Sequence, residues 1–355
     1  MIVVQSDPTI KFAIICCMKI KIDELKKILT TAAAKYVDPQ EAEYFARLGI
    51  DNYIKKQPRT GHLTDLISDI KAWKNHGDKS LEIEVDKPST LLLNFNSLGP
   101  SLKLKYIHDE AIKRAKKNGI SLIGLNHGGV HTLNLWTDAL GQRDMISIFM
   151  YNGGPTSVVP FGGTQGIFGT NPISYAVPTS TEPIIVDMAT SEIPFFEIKE
   201  TKLNNSKLRQ GVAVDNSGKI TTDPNKALNS DSTISNILPL GGGYKGYAIV
   251  LLIEILTGSL VRSLLSTEMT SGYVVEEHGG LLITIDVSSL VNLSNFKQSV
   301  STMCEQVKKQ TPVQGLEQIT IPGDRAYQRR DKTLLTGEVE VEQKVLDELK
   351  DLVSK

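Results

Sequence analysis

The spacing of hydrophobic positions predicts helices mainly towards the two ends of the chain. Apolar residues recur at helical intervals over residues 22–37. A second helix is expected from Pro39 to Lys56 because proline is favoured at the first helical position and Asp38 precedes it. The same pattern predicts further helices at 63–74, 108–118, 295–309 and 341–352.

Short apolar runs bounded by Gly, Pro, Asn and Thr predict buried strands through the middle of the chain. They lie at 82–86, 89–95, 120–125, 146–151, 173–177, 183–186 and 281–287. The last run is expected to be a central strand. Because these strands and helices do not alternate regularly, the order favours an α/β protein but not a doubly wound one.

Two further segments have distinctive patterns. Residues 210–220 predict a hairpin around the turn sequence Asp215-Asn-Ser-Gly218. Ala248–Val261 is hydrophobic nearly all round, which predicts a buried helix, and its length argues against a membrane span.

Composition and charge restrict the possible partners. The 355 residues are 40% hydrophobic and 22% charged with a net charge of −1, which is typical of a soluble globular protein. Such a balance gives no basic surface for nucleic acid and no membrane preference. Cys16, Cys17 and Cys304 form neither a disulfide framework nor a metal-ligand spacing, so we expect a cytoplasmic protein without a metal.

The stretch 147–191 is the first candidate for a ligand site. Its strands are joined by loops dense in glycine, which lets a backbone approach a ligand closely, and in proline, which fixes the loop. A purely structural loop system would have a similar composition, so both interpretations stay open. No G-x-G-x-x-G follows a strand, and Gly241–Gly246 lacks the spacing of a phosphate loop. A dinucleotide site would therefore have to be built from other loops.

Several motifs, taken together and in order, resemble the type-2 malate/L-lactate dehydrogenase family. They are LNFNSLG, ISLIGL, PFGG, GTNP, DMATS, TTDP, PLGGGYKGY, LLITID and TIPGDR, and the resemblance extends from about residue 20 to residue 353. It implies a non-Rossmann malate/L-sulfolactate dehydrogenase-like α/β fold. Residues 19–80 would form a helical N-terminal part, 81–325 a central nucleotide-binding domain with a mixed β-sheet, and 326–355 a helical segment packing back on the N-terminal part. Residues 1–18 are expected to be a disordered extension.

The resemblance also implies an activity. Members of this family are NAD- or NADP-dependent oxidoreductases, so we expect hydride transfer between nicotinamide and a small partner molecule. That partner would be a malate- or lactate-like 2-oxo/2-hydroxy acid or a cyclic imino acid. A homodimer with its active site near the interface is also implied.

Three residues are the expected catalytic groups. By resemblance His62 would donate the proton, Asp187 would hold and stabilise its imidazole, and His131 or His127 would assist near the nicotinamide. The alternatives are a loop histidine, a carboxylate that caps the turn after its strand, and a hydrogen-bonded structural histidine. Gly61 and Leu66 stand where the family carries a serine and an arginine, and Tyr151 stands where it carries a threonine.

The expected cofactor contacts come from several loops. They are His127, Asn152, Gly153, Asn171, Val177, Pro178, Thr179, Tyr244, Lys245, Pro322, Gly323 and Asp324. Asp324 is expected to accept hydrogen bonds from ribose hydroxyls, which would favour NAD over NADP by charge. Because the substrate side departs from the family, the rival hypothesis is a catalytically impaired homologue that binds cofactor or serves as a dimer partner.

Overall fold

A computed structural model describes residues 17–56, 61–76, 79–154, 156–230, 232–270 and 277–354, with the side chains of residues 61 and 62 left out. Its main sheet has seven strands in the order β2-β3-β4-β8-β5-β6-β7. Only β3 and β4 run parallel, and the other neighbours are antiparallel. The strands are β2 (Glu82–Lys87), β3 (Thr90–Asn94), β4 (Ile120–Asn126), β5 (Met145–Tyr151), β6 (Ile173–Val177), β7 (Ile184–Met188) and β8 (Gly279–Asp286). The prediction of an α/β protein with a central strand at 281–287 is confirmed.

Helices flank this sheet. They are α1 (Ile22–Ala33), α2 (Pro39–Lys55), α3 (Gly61–Asn75), α4 (Leu104–Asn118), α5 (Asn134–Gly141), α6 (Phe195–Leu203), α7 (Pro224–Ala227), α8 (Tyr244–Thr257), α9 (Leu293–Lys308), α10 (Asp324–Thr336) and α11 (Gln343–Ser354). The start of α2 is the one predicted, because the Asp38 carboxylate accepts hydrogen bonds from the N–H groups of Gln40 and Glu41 at 3.1 Å. The predicted turn at Asp215 is also present, with the Asp215 N–H donating to the Lys219 carbonyl.

A second, two-stranded sheet joins the two ends of the described chain. Strand β1 (Cys17–Lys21) pairs antiparallel with β9 (Glu338–Glu342). Cys17 and Met18, expected to belong to a disordered extension, are the first residues of β1, and residues 1–16 lie outside the described residues. The predicted helix at 341–352 begins only at Gln343, because Glu338–Glu342 alternates polar and apolar residues and buries Val339 and Val341.

One hydrophobic cluster connects the N-terminal helices to one face of the sheet. It includes residues of α1, α2, α4 and α5, and the fully buried Trp136 lies stacked on Phe149 at 4.9 Å between ring centroids. Side chains of β9 and α11 belong to the same cluster. The ends of the chain therefore help to fix the layer of helices that carries part of the candidate site.

The apolar segment at 248–261 differs from the prediction. Helix α8 is not buried all round, because Ile249, Leu252 and Ile255 are 42%, 54% and 49% exposed. By length and composition alone, the 18 residues Tyr244–Val261 are enough to cross a membrane, so the length of this whole segment does not argue against a span. However, α8 has 14 residues and ends at Thr257, which gives it a length of roughly 21 Å against about 30 Å of bilayer hydrocarbon. Its buried Glu254 is also hydrogen-bonded to the protein interior.

Candidate active site

Asp187 lies near the end of β7, where its carboxylate faces two other elements. Its Oδ2 accepts a hydrogen bond from the N–H of Asn134, the first residue of α5, at 3.3 Å. The same oxygen lies 3.3 Å from Nζ of Lys56, which follows α2. The start of α5 and the Lys56 ammonium together hold the Asp187 carboxylate in place.

His131 lies close to a second carboxylate. Its Nδ1 is 3.9 Å from Oδ1 of Asp65 on α3, and the two side chains are 25% and 31% exposed. Burial raises the pKa of Asp65, whereas His131 and Lys56 oppose that rise by attraction. One turn further along α3, burial raises the pKa of Asp69 to about 6, against the attraction of His131 and a hydrogen bond with Ser101. The imidazole thus lies near two carboxyl groups whose pKa values are raised by burial.

His62 is the second residue of α3, the helix that also carries Asp65. Its side chain lies outside the described part of the structure, so its expected hydrogen bond with Asp187 is not tested. Leu66 is 6% exposed, and a Cβ built on Gly49 of α2 would lie 2.6 Å from its Cδ1. Leu66, which we expect to stand where the family carries an arginine, therefore packs into the helical core.

A cavity of about 450 Å³ lies between the turn after β6, helix α9 and the start of α10. Three of the expected cofactor residues, Thr179, Pro322 and Asp324, line it. Val177 ends β6, buried Pro178 follows it, and Gly323 precedes α10, so all six residues from these two loops lie at or beside the cavity. Its size falls within the range of small-molecule sites.

Asp324 is held firmly at the wall of this cavity. Its Oδ2 accepts a hydrogen bond from the Ile321 N–H at 2.9 Å and lies 2.8 Å from Nζ of Lys308. The loop can turn here because Gly323 has a φ of +102°, which a residue with a side chain rarely adopts. A Cβ at Gly323 would also lie 2.8 Å from Cγ1 of Ile185 in β7.

The hairpin of β6 and β7 connects the cavity to Asp187. In its register Val177 pairs with Ile184 at the cavity end, and Ser174 pairs with Asp187 at the other. Three residues of extended strand separate Ile184 from Asp187, which corresponds to roughly 10 Å. One strand thus carries both the wall of the cavity and the carboxylate beside Lys56.

Asn152, Gly153 and Asn171 form a different group. Asn171 is fully buried, accepts from the Gly153 N–H at 3.2 Å and donates through Nδ2 to Glu254 at 2.6 Å. Asn152 is also fully buried and donates to the Leu264 carbonyl at 3.0 Å. These contacts anchor the central loops to α8, and the role of these residues in cofactor binding stays a prediction.

The remaining expected cofactor residues are dispersed. Tyr244 and Lys245 begin α8 at the surface, and the Tyr244 ring is 63% exposed with its edge against Phe161. His127 has a φ of +51°, and its carbonyl accepts a hydrogen bond from the Ser97 N–H at 2.8 Å. The structure therefore places these three apart from the residues that line the cavity.

Three residues near the site, Lys56, Asp65 and His278, were missed by reasoning from the sequence. Lys56 and Asp65 contact Asp187 and His131, although neither was singled out. The Tyr151 hydroxyl accepts from the Val130 N–H at 2.9 Å, and its ring stacks on His278 at 5.7 Å. Burial lowers the pKa of His278 to about 4. The i, i+4 spacing of Asp65 and Asp69 on α3 was the local signal.

No group of three or more His, Cys, Asp or Glu side chains suited to a metal ion occurs within the described ranges. The chemistry of the described site therefore consists of carboxylates, an imidazole, an ammonium and a separate cavity.

Comparison with known proteins adds a decisive observation. The profile of the malate/L-lactate dehydrogenase family matches residues 20–350. The chain belongs to this family. The prediction from its motifs is confirmed, and with it the prediction that the protein is an enzyme, a dehydrogenase or reductase.

Relatives with known names cover nearly the whole chain. The malate/(S)-sulfolactate dehydrogenase of Methanothermus fervidus is 31% identical over 338 residues, which is 93% of this chain and 95% of the relative. The Δ1-pyrroline-2-carboxylate/Δ1-piperideine-2-carboxylate reductase of Pseudomonas syringae pv. tomato is 30% identical over 68% of each chain.

A solved structure agrees with these sequence matches. The sulfolactate dehydrogenase of Methanocaldococcus jannaschii superposes with a TM-score of 0.80 at 27% identity and covers 95% of this chain and 97% of its own. The expected malate/L-sulfolactate dehydrogenase-like fold is thereby confirmed.

Proposed function

We propose that the protein transfers a hydride between a nicotinamide dinucleotide and a small 2-oxo/2-hydroxy acid. The observation that carries the proposal is the shared strand β7, which runs from the cavity at Ile184 to Asp187 beside Lys56. Family membership supports the same reaction class. A cyclic imino acid is the second candidate substrate, because the Pseudomonas syringae relative is named as a reductase of such compounds.

The loops at the cavity suit a dinucleotide. Asp324 offers a fixed carboxylate, and Gly323 brings backbone to the wall without a side chain. The Thr179 hydroxyl donates to the Glu182 carbonyl at 2.9 Å and so fixes the turn that forms the opposite wall. We propose that residues 177–179 and 322–324 bind the nucleotide at this end. When bound, the nicotinamide supplies or accepts the hydride.

The residues of the chain would manage the proton. His131 and His62 are the proposed donors to the substrate oxygen in the direction of reduction, and Asp65 would orient His131. Asp187 would stabilise the positive charge of the His62 imidazole after protonation, as carboxylates beside catalytic imidazoles do. Asp187 is prepared for this by its contacts with Asn134 and Lys56.

The charge around the cavity favours NAD over NADP as the cofactor. Glu182, Glu305 and Asp331 line it together with Asp324, and Lys308 is already paired with Asp324. An additional phosphate on the ribose would meet the Glu305 carboxylate and three carboxylates already paired with cations, Asp324 with Lys308 and both Glu182 and Asp331 with Arg330. We therefore propose NAD as the preferred cofactor.

A homodimer in the cytoplasm is the state that we propose for the enzyme. Support comes from α8, whose exposed Ile249, Leu252 and Ile255 give a soluble chain an apolar surface that a second copy would cover. Sedimentation of the wild type and of Leu252→Glu tests this, with a dimer expected for the first and a monomer for the second. A monomeric wild type would contradict it.

The activity is tested by adding NADH or NADPH to the purified protein with pyruvate, oxaloacetate, 2-oxoglutarate, a 2,3-diketo sugar acid or piperideine-2-carboxylate. We expect oxidation of NADH with at least one of them and calorimetric binding of NADH. Binding of NADH without turnover of any compound would favour the impaired homologue, for which the inward packing of Leu66 is the supporting observation. Absence of both binding and turnover would refute the proposal.

A further inference from the structure

The position expected to bind the substrate carboxylate is filled by a residue that cannot do so. Leu66 has no charge, is 6% exposed and lies against Gly49 of α2. Yet every candidate substrate, whether an oxo acid or a cyclic imino acid, carries a carboxylate next to its reacting carbon. A site without a cation would have to desolvate that carboxylate without compensation.

Lys56 is the cation that the structure places nearest to Asp187 among the described residues. Its Nζ lies 3.3 Å from Asp187 Oδ2, and its side chain is 26% exposed. The preceding residue, Lys55, is by contrast fully buried between Asp51 and Asp138 and is directed into the protein. Of these two lysines at the end of α2, Lys55 is directed into the protein and Lys56 towards Asp187.

Within the described part of the chain, the Lys56 ammonium makes one side-chain hydrogen bond, to Asp187. An ammonium has three N–H donors, and the contact with Asp187 uses one of them. The other nearby carboxyl group, Asp65, has its pKa raised by burial, and Lys56 is close enough to oppose that rise. Asp65 is therefore a weaker competitor for the ammonium than an ordinary surface carboxylate.

We propose that Lys56 binds the carboxylate of the substrate and replaces the cation that is lost at Leu66. The inference rests on the proposed function. Lys56 would be the residue that makes the active site prefer substrates with a carboxylate. Lys56 would hold the acid next to Asp187 and His131. Lys56 is thus a substrate-binding residue and takes no part in proton transfer.

The experiment compares an acid with its uncharged ester in the wild type and four variants. The variants are Lys56→Met, Lys56→Gln, Lys56→Arg and the control Lys74→Met, which removes an exposed lysine from the last turn of α3. The probes are NADH with whichever of pyruvate, oxaloacetate or 2-oxoglutarate the wild type reduces fastest, and the methyl ester of that acid. Removing a charged hydrogen bond is expected to raise KM for the acid about 10- to 100-fold.

The ratio of the two substrates distinguishes binding of the carboxylate from a general effect on the fold. Lys56→Met and Lys56→Gln should raise KM for the acid but not for the ester, while the Kd for NADH stays unchanged. Lys56→Arg and Lys74→Met should keep the preference of the wild type for the acid. An equal rise in KM for acid and ester, or no rise, overturns the inference while the proposed function stands. A wild type that neither binds NADH nor reduces any of the acids overturns both.

Discussion

The imidazole of His131 faces the carboxylate of Asp65, with 3.9 Å between Nδ1 and Oδ1. His131 comes from the loop after β4, and Asp65 lies in the first turns of α3. The contact therefore joins the helical layer to the sheet at the point where the proton is proposed to move. The contact also allows a test of whether His131 or His62 donates the proton.

Substituting Asp65→Asn should lower kcat about 10- to 100-fold, because the amide can still contact the ring but no longer stabilises its charged form. The Kd for NADH should not change, because the cavity proposed to bind NADH lies at the Ile184 end of β7 and is not lined by Asp65. Stopped-flow NADH oxidation and fluorescence titration measure the two quantities. Asp347→Asn, at an exposed position of α11, is the matched control. A kcat equal to that of the wild type would assign the proton to a residue other than His131.

Asp69 should make the protein less stable as the pH rises. Burial raises its pKa to about 6 from the ordinary 3.8, so the folded protein binds a proton there more tightly than the unfolded chain. Its contribution is fully favourable below pH 3.8 and is lost between about pH 4 and pH 6, by roughly 3 kcal/mol.

The neutral isostere Asp69→Asn should remove this dependence. Relative to the wild type, its free energy of unfolding should rise between pH 4 and pH 7, as measured by urea unfolding at several pH values. The difference between the two proteins isolates Asp69 from groups of opposite sign such as His278, whose pKa is lowered to about 4. A difference that stays constant with pH would mean that Asp69 is charged throughout.

Lys55 is expected to contribute far more to stability than the surface lysines. It is fully buried, contacts Asp51 and Asp138, and lies over the ring of Tyr327. Lys55→Met should lower the free energy of unfolding by about 3–5 kcal/mol, because it leaves the Asp138 carboxylate buried without its cation.

Two further variants separate the buried pair from the loss of a lysine in general. The double variant Lys55→Met/Asp138→Leu should recover most of the loss, since it removes both charges. Lys26→Met breaks an exposed pair with Glu43 at 3.8 Å and should cost less than about 1 kcal/mol. Equal losses in Lys26→Met and Lys55→Met, measured by chemical unfolding, would contradict this account.

Much of the fold follows from local patterns in the sequence, and the failures have physical reasons. The cap at Asp38 and the central strand at 281–287 depend on nearby residues and were predicted. Strand β1 was missed because it is stabilised by pairing with β9, more than 300 residues away. Helix α8 was expected to be buried because hydrophobicity alone does not show which faces meet the sheet.

The residues of the site also divide into those that the sequence predicted and those that it did not. Motif resemblance identified Asp187 and the loops at 177–179 and 322–324, and the structure brings those two loops to one cavity. Lys56 was missed because it lies 131 residues before Asp187, and two consecutive lysines are usually solvated. The exposed position of Tyr244 and Lys245 had no signal in the sequence, since a glycine-rich loop before a helix suits both a ligand and a surface turn. The roles of all these residues remain predictions.

The conformation of Gly323 provides the most direct test of where the dinucleotide binds. With a φ of +102° and only 2.8 Å between a built Cβ and Ile185, Gly323→Ala should displace the loop that holds Pro322 and Asp324. We expect the Kd for NADH to rise at least about tenfold, because a shift of this loop disturbs contacts worth more than 1.4 kcal/mol. The kcat at saturating NADH should change less, since Asp187 and His131 lie outside the loop.

Gly337 offers a control with the same kind of backbone. Its φ is +67°, it ends α10, and a Cβ there would meet nothing within 4 Å. Gly337→Ala should therefore cost about 1 kcal/mol of stability without changing the Kd for NADH. Calorimetric titration of both variants, with thermal unfolding to follow stability, separates backbone strain from loss of the binding loop. If Gly323→Ala binds NADH as tightly as Gly337→Ala does, the cavity beside Asp324 is not the dinucleotide site, and the nucleotide must be sought along the exposed start of α8.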